Sequence, residues 1–321
     1  MPSYSGVWNL AAVYQAVGAG QWPYSLTNGQ VGLFAGGDTG LRVNIIDYVI
    51  ISTTGNATDF GDLTVSRNNL SGCSSTSRGV FAGGVSAGAV NSNVIDFVLF
   101  STTGNATDFG DLTIGRNSLA GCSSSTRGIF SGGTTGTQSN VIDYITIASA
   151  GNAIDFGDLT FARYSLGACS STTRGVFSGG TGAANYNVID YVTIASAGNA
   201  IDFGDLLFNT YLISGCSSTT RGLFGGGFIP PSSGNTNVIS YITIATTGNA
   251  IDFGDLLSAT VNMGACSSNS TGLFGGGAVG GLGVNVINYV SISTIGNAAD
   301  FGDLTSSRTT LAACSNAHGG L

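Results

Sequence analysis

Apolar residues in this chain come in short runs broken by Gly, Ser, Thr and Asn. A run such as Val94–Ser101 carries Val94, Ile95, Phe97, Val98, Leu99 and Phe100, so both alternating faces are apolar. A strand of that kind is covered on both sides. Around it lie three further strand candidates: Asn68–Ser75, Arg78–Ala82 and Ala106–Thr113. Ser-Ser-Thr, Gly-Gly and Thr-Gly-Asn segments separate them, and each is turn chemistry.

The pattern recurs. Phe-Gly-Asp-Leu begins at Phe60, Phe109, Phe156, Phe203, Phe253 and Phe301, at intervals of 49, 47, 47, 50 and 48. Cys follows 13 residues after each Phe, and Asn precedes it by 16. These spacings never change. All length variation falls between a Gly-Gly pair and that Asn, where the connector has 6, 8, 6, 6, 9 and 7 residues. A constant frame with one variable segment predicts a rigid scaffold that presents loops from one face. Four-stranded units of this length predict an all-β, six-bladed propeller spanning residues 30–321. The first unit starts at its second strand, Val31–Gly37, and the chain ends with a spare first strand, Thr309–Ser315. The C-terminal strand is therefore expected to complete the N-terminal blade and leave no open edge.

Composition narrows the function. All 9 basic residues are Arg, all 17 acidic residues are Asp, and a single His, His318, stands near the end. Lys and Glu are absent, so the usual proton-transfer and metal-ligating groups are scarce. An enzyme is not expected. No catalytic residue, metal site or cofactor is assigned. The net charge of −8 argues against nucleic acid, whose phosphates demand cations. No apolar run is long enough to span a bilayer, so membrane insertion is not expected.

Several positions carry candidate chemistry. The six Cys are equivalent, and equivalent positions in neighbouring blades lie too far apart for a disulfide, so buried reduced thiols are expected. The Asp-Phe-Gly-Asp pairs, for instance Asp59 and Asp62, fit either calcium ligation or turn capping. Asp47, Asp96, Asp143 and Asp190 are each followed 31 residues later by Arg78, Arg127, Arg174 and Arg221. In the fifth unit both members are neutral, Ser240 and Thr271. This joint change predicts Asp–Arg bridges between adjacent blades. A second set, Arg67, Arg116, Arg163 and Arg308, opens the first strand of its unit, at the same end as the variable connectors. Two readings fit it: a recognition face for an anionic or carbohydrate partner, or internal bonds to Asp and loop carbonyls. Tyr186 and Phe228-Ile-Pro230-Pro231 are candidate contacts on the same rim.

The order Arg163-Tyr-Ser-Leu-Gly-Ala-Cys, Val176-Phe-Ser-Gly-Gly180, Ile189-Asp-Tyr191, Phe203 resembles the kelch repeat. Phe stands where kelch repeats usually carry Trp, and Thr210 and Thr260 replace the Arg in two units. Residues 1–29 differ in character. They hold both Trp of the chain, Trp8 and Trp22, and place Leu10, Val13, Tyr14 and Val17 on one face of a short helix. This segment resembles N-terminal openings of tail-associated proteins of marine bacteriophages. The resemblance implies a virion protein: a tail fibre, tail appendage or capsid decoration. Residues 1–29 would dock it on other virion proteins through Trp8, Tyr14 and Trp22. The variable loops would contact a host surface glycan or protein. The kelch resemblance alone implies an intracellular protein-interaction module as the alternative.

Overall fold

The computed structural model describes residues 30–231 and 234–317. Six four-stranded antiparallel sheets stand around a common axis. Blade one is built from Ala312–Ser315, Val31–Ala35, Ile45–Ile50 and Thr58–Asp62, from the axis outwards. The C-terminal strand thus closes the ring, with Leu33 opposite Cys314. Blade two runs Ser71–Ser74, Arg78–Ala82, Val94–Leu99 and Thr107–Asp111, and the other four repeat it. The strands fall where the pattern put them, but the inner one is shorter than expected. Asn69 stops it, at φ 54°. Equivalent residues Ser118, Ser165, Leu212, Asn262 and Thr310 share this left-handed backbone.

That conformation closes a ring. The amide of Asn69 donates to the Thr310 carbonyl at 2.8 Å, that of Ser118 to Asn69 at 2.9 Å, and so on around all six blades. A second ring circles the other end of the inner strands. There Ser74, Ser123, Ser170, Ser217, Ser267 and Ser315 are fully buried, and each hydroxyl donates to the preceding blade's serine carbonyl.

The core lies between blades. Leu33, Phe60 and Leu63 of blade one pack with Phe81, Val98 and Phe100 of blade two, and five further clusters repeat that contact around the wheel. Burying one such side chain is worth about 1.5–3 kcal/mol. The six Cys are buried free thiols, and burial raises their pKa. Each nests against a glycine of the next blade: a Cβ on Gly79 would stand 3.0 Å from the Cys314 sulfur. The repeated Arg-Gly and Cys positions are therefore two halves of one contact.

The Phe-Gly-Asp-Leu motif builds the outer edge. The register slips at Asp96, which faces Asp108, whereas Ile95 faces Gly110. The extra residue, Phe109, turns into the core and meets Phe97 edge-on. Gly110, at φ 144°, permits the bulge and lets Gly151 of the next blade approach. The Gly151 amide then donates to the Phe109 carbonyl, that of Ala153 to Asp111, and the Asn152 side chain accepts from the Asp111 amide. Each outer strand is capped in this way by the following blade, including blade six by Gly55, Asn56 and Ala57. The exposed row of backbone groups that invites aggregation is covered on every blade.

Candidate recognition face

One end of the wheel gathers the variable connectors and the linkers between blades. Asn68, in the linker to blade two, exchanges backbone hydrogen bonds with Val85 of that blade's connector, and Tyr211 does the same with Phe228. The other end carries the tight turns between first and second and between third and fourth strands.

The arginines of the linkers do not reach solvent. Arg67, Arg116, Arg163 and Arg308 are fully buried. Each pairs with an aspartate of the third strand: Arg67 with Asp96 at 2.6 Å, Arg116 with Asp143 at 2.8 Å, Arg163 with Asp190 at 3.0 Å and Arg308 with Asp47 at 2.6 Å. Arg67 also donates to the carbonyls of Phe81, Gly83 and Val94. A threonine three residues earlier completes the unit. Thr64, Thr113, Thr160 and Thr305 donate their hydroxyls to the same aspartates. These four Thr-Arg-Asp locks clamp each linker to the blade it leads into. Burial pulls both charges toward neutrality: the Arg116 guanidinium falls and the Asp143 carboxyl rises, each opposed by the other's charge.

Two expectations are corrected here. The recognition reading of Arg67, Arg116, Arg163 and Arg308 gives way to the internal one, because the side chains are fully buried and their terminal Nη1 and Nη2 groups bond to Asp and carbonyl oxygens inside the wheel, while each Nε is left without a partner. The pairing of Asp47, Asp96, Asp143 and Asp190 with Arg78, Arg127, Arg174 and Arg221 does not occur. Those arginines sit at the opposite end, stacked over Phe97, Tyr144, Tyr191 and Tyr241 at 4.4–4.7 Å. Each also donates to a carbonyl of the following blade, Arg78 to Ile147 at 2.9 Å. They do join blades, but through backbone carbonyls, and the ring each stacks on belongs to its own blade.

The joint loss of charge still reports contact, with the other arginine. In blade five the lock positions read Leu207, Thr210 and Ser240, and in blade six Leu257, Thr260 and Asn288. Asn288 takes over two of the bonds: it accepts from the Leu257 amide and donates to the Phe274 carbonyl. Thr210 and Thr260 turn back to Phe208 and Ser258.

With its arginines withdrawn, the face has little charge. Asp38 and Arg42 are the charged residues of its connectors, and apart from the lock arginines the linkers carry none. Tyr186 and Phe228, both candidates from the sequence, are half-buried here. Tyr186 stacks on Phe161 at 5.3 Å and Phe228 rests on Tyr211 at the same distance. Pro230 and Pro231 follow in the same connector. An axial cavity of about 100 Å³ runs down the inner strands, collared by Leu70, Leu119, Leu166, Ile213, Met263 and Leu311. No titratable side chain lines it.

The twelve aspartates of the Asp-Phe-Gly-Asp motifs ring the outside. Burial and the neighbouring charges of Asp62 and Asp47 raise the pKa of Asp59. Asp300 caps locally, accepting from the Gly302 amide. Among the described residues no group of three or more His, Cys or Asp is placed to hold a metal ion. No helix of the described residues is long and apolar enough to cross a membrane. Trp8, Tyr14, Trp22 and His318 lie outside the described residues.

No protein-family model matches the chain. No curated protein matches it either. The β-propeller therefore stands on its own geometry, and it is consistent with an interaction module.

Proposed function

We propose that this protein is a non-enzymatic phage virion component: a tail fibre, tail appendage or capsid decoration. Residues 1–29 dock it on other virion proteins through Trp8, Tyr14 and Trp22, and the variable-loop face is turned outward to the host surface. This reading rests on the phage-like opening of residues 1–29, and the polarity of the wheel agrees with it. Val31 takes the place in blade one that Arg78 holds in blade two, at the tight-turn end. Its amide donates to the Asn316 side chain at 2.7 Å. Val31 thus enters the propeller at the face opposite the variable loops, which is compatible with attachment through residues 1–29 and loops turned outward. The scarcity of His, Lys and Glu supports a binding rather than a chemical role. Mass spectrometry of purified particles of the encoding phage tests it. The protein is expected as a stoichiometric component. Intact particles without it would leave the second reading, an intracellular kelch-type interaction module, which the propeller fold supports equally.

A further inference from the structure

The repeat makes departures from it informative. Most aromatic residues of the described propeller occupy positions that recur from blade to blade. Apart from Phe100, which is buried where the other blades carry Ile, six do not: Phe161, Tyr164, Tyr186, Phe208, Tyr211 and Phe228. All six lie in the linkers and connectors of blades four and five. The corresponding positions of the other blades hold Val65, Ile114, Ser258 and Ser306, or Asn68, Asn117, Val261 and Thr309.

The six line an arc across two neighbouring blades, four of them as two ring pairs. Phe161 stacks on Tyr186 with ring planes 22° apart. The Tyr186 carbonyl accepts from the Thr210 amide at 3.2 Å. Thr210 belongs to the linker that carries Phe208 and Tyr211, and Tyr211 leans on Phe228. Phe161 and Phe208 are 47% and 48% exposed, although burial is the rule for such side chains. No repeated frame position needs them, since four blades fold without them. Around the rings the connectors supply Thr181, Asn185 and Asn235, and no charged side chain is exposed on the arc. A Cβ on Gly182, which pairs with Arg163, would stand 2.6 Å from the Ala162 carbonyl oxygen, 3.3 Å from Gln138 and 3.5 Å from the Tyr186 ring.

We propose that this arc is a binding site for an uncharged saccharide. A sugar ring offers an apolar C–H face and a rim of hydroxyls. Flat aromatic rings match the first, and amide and hydroxyl side chains match the second. Neutrality sets the class: an anionic glycan would bring charge to an arc that offers no exposed arginine, since Arg42 lies on the connector of blade one. The proposal deepens the reading of the loop face as the free one and names its ligand.

The test is a glycan array of neutral, sialylated and sulfated oligosaccharides probed with the full-length protein. Neutral glycans are expected to bind, with no loss on adding salt. Phe161→Ala and Tyr211→Ala should each weaken binding about tenfold, the order expected for one aromatic contact. Leu282→Ala, 76% exposed on the connector of blade six, should bind as wild type. Phe161→Tyr keeps the plate and should retain binding, so a poorly folding alanine variant does not decide the matter. Binding to anionic glycans alone, no neutral binder on the array, or alanine variants that fold and bind unchanged would each overturn the proposal. So would a protein partner that occupies the same arc while neutral glycans do not compete. Presence in particles is read separately, so a particle-bound protein that ignores neutral sugars refutes the ligand and spares the virion role.

Discussion

At the scale of single residues, the locks are the most consequential feature. A buried ion pair need not stabilise a fold relative to apolar residues, but removing one partner strands the other charge, at about 3–5 kcal/mol. Asp143→Ala and Arg116→Ala should each lose that amount in denaturant unfolding. Thr113→Leu, Arg116→Thr and Asp143→Ser together install the set that blade five already uses, and should lose less than either single change. Arg174→Ala, which gives up a stacking contact and a backbone bond, should cost about 1–2 kcal/mol. The joint loss of charge was visible in the sequence, but its partner was not. Both arginine sets are broken late in the chain, the locks at Thr210 and Thr260 and the stacked set at Thr271, so the two losses overlap in blade six. The wrong set keeps a constant spacing of 31 residues, whereas the true partners are 29, 27 and 27 apart, because the connector of variable length lies between them. Constant spacing marked the repeat and concealed the contact.

The thiols offer a second test at this scale. Burial raises each Cys above the ordinary 9.0. The native state then holds protons that the unfolded chain releases, so stability is full below that value and falls as pH rises through it. Each thiol contributes about 1.4 kcal/mol per pH unit to the fall. Unfolding midpoints at pH 8, 9 and 10 should drop with increasing steepness, and a thiol reagent at pH 8 should label no buried Cys until the protein unfolds. Labelling of the native protein would contradict the packing of Cys against the next blade's Gly.

At the scale of elements, the left-handed ring decides where inner strands begin. Four of its six members are Ser, Thr or Leu, although Asn adopts this backbone more readily. Leu212→Asn copies Asn69 and Asn262 and should stabilise by about 0.5–1 kcal/mol, read as a higher melting temperature. An unchanged or lower value would mean that the Leu212 side chain contributes more than its backbone costs. Strand positions were legible because turn residues bracket each apolar run. The shortness of the inner strand was not, since Asn69 and Ser118 share no residue type that announces a left-handed turn. The role of Gly-Asn-Ala was also hidden. It reads as a turn, and only the neighbouring blade reveals it as the cap of an outer edge.

At the scale of the whole molecule, two features made the wheel readable before any coordinates: the missing first strand of the first unit and the spare one at the end. Both follow from the need to leave no sheet edge open. The character of the loop face was harder. Nine arginines in an acidic chain suggest a cationic patch, yet four are locked in linkers and four lie over aromatic rings at the far end, which leaves Arg42. What the face displays instead is a neutral aromatic arc on two blades, with the polypeptide joining at the opposite end. Single-particle cryo-electron microscopy of assembled particles tests this polarity most directly. The account predicts six-bladed density attached through its tight-turn end, with the blade-four and blade-five connectors pointing to solvent. Density attached through the connectors, with the tight turns outward, would contradict it.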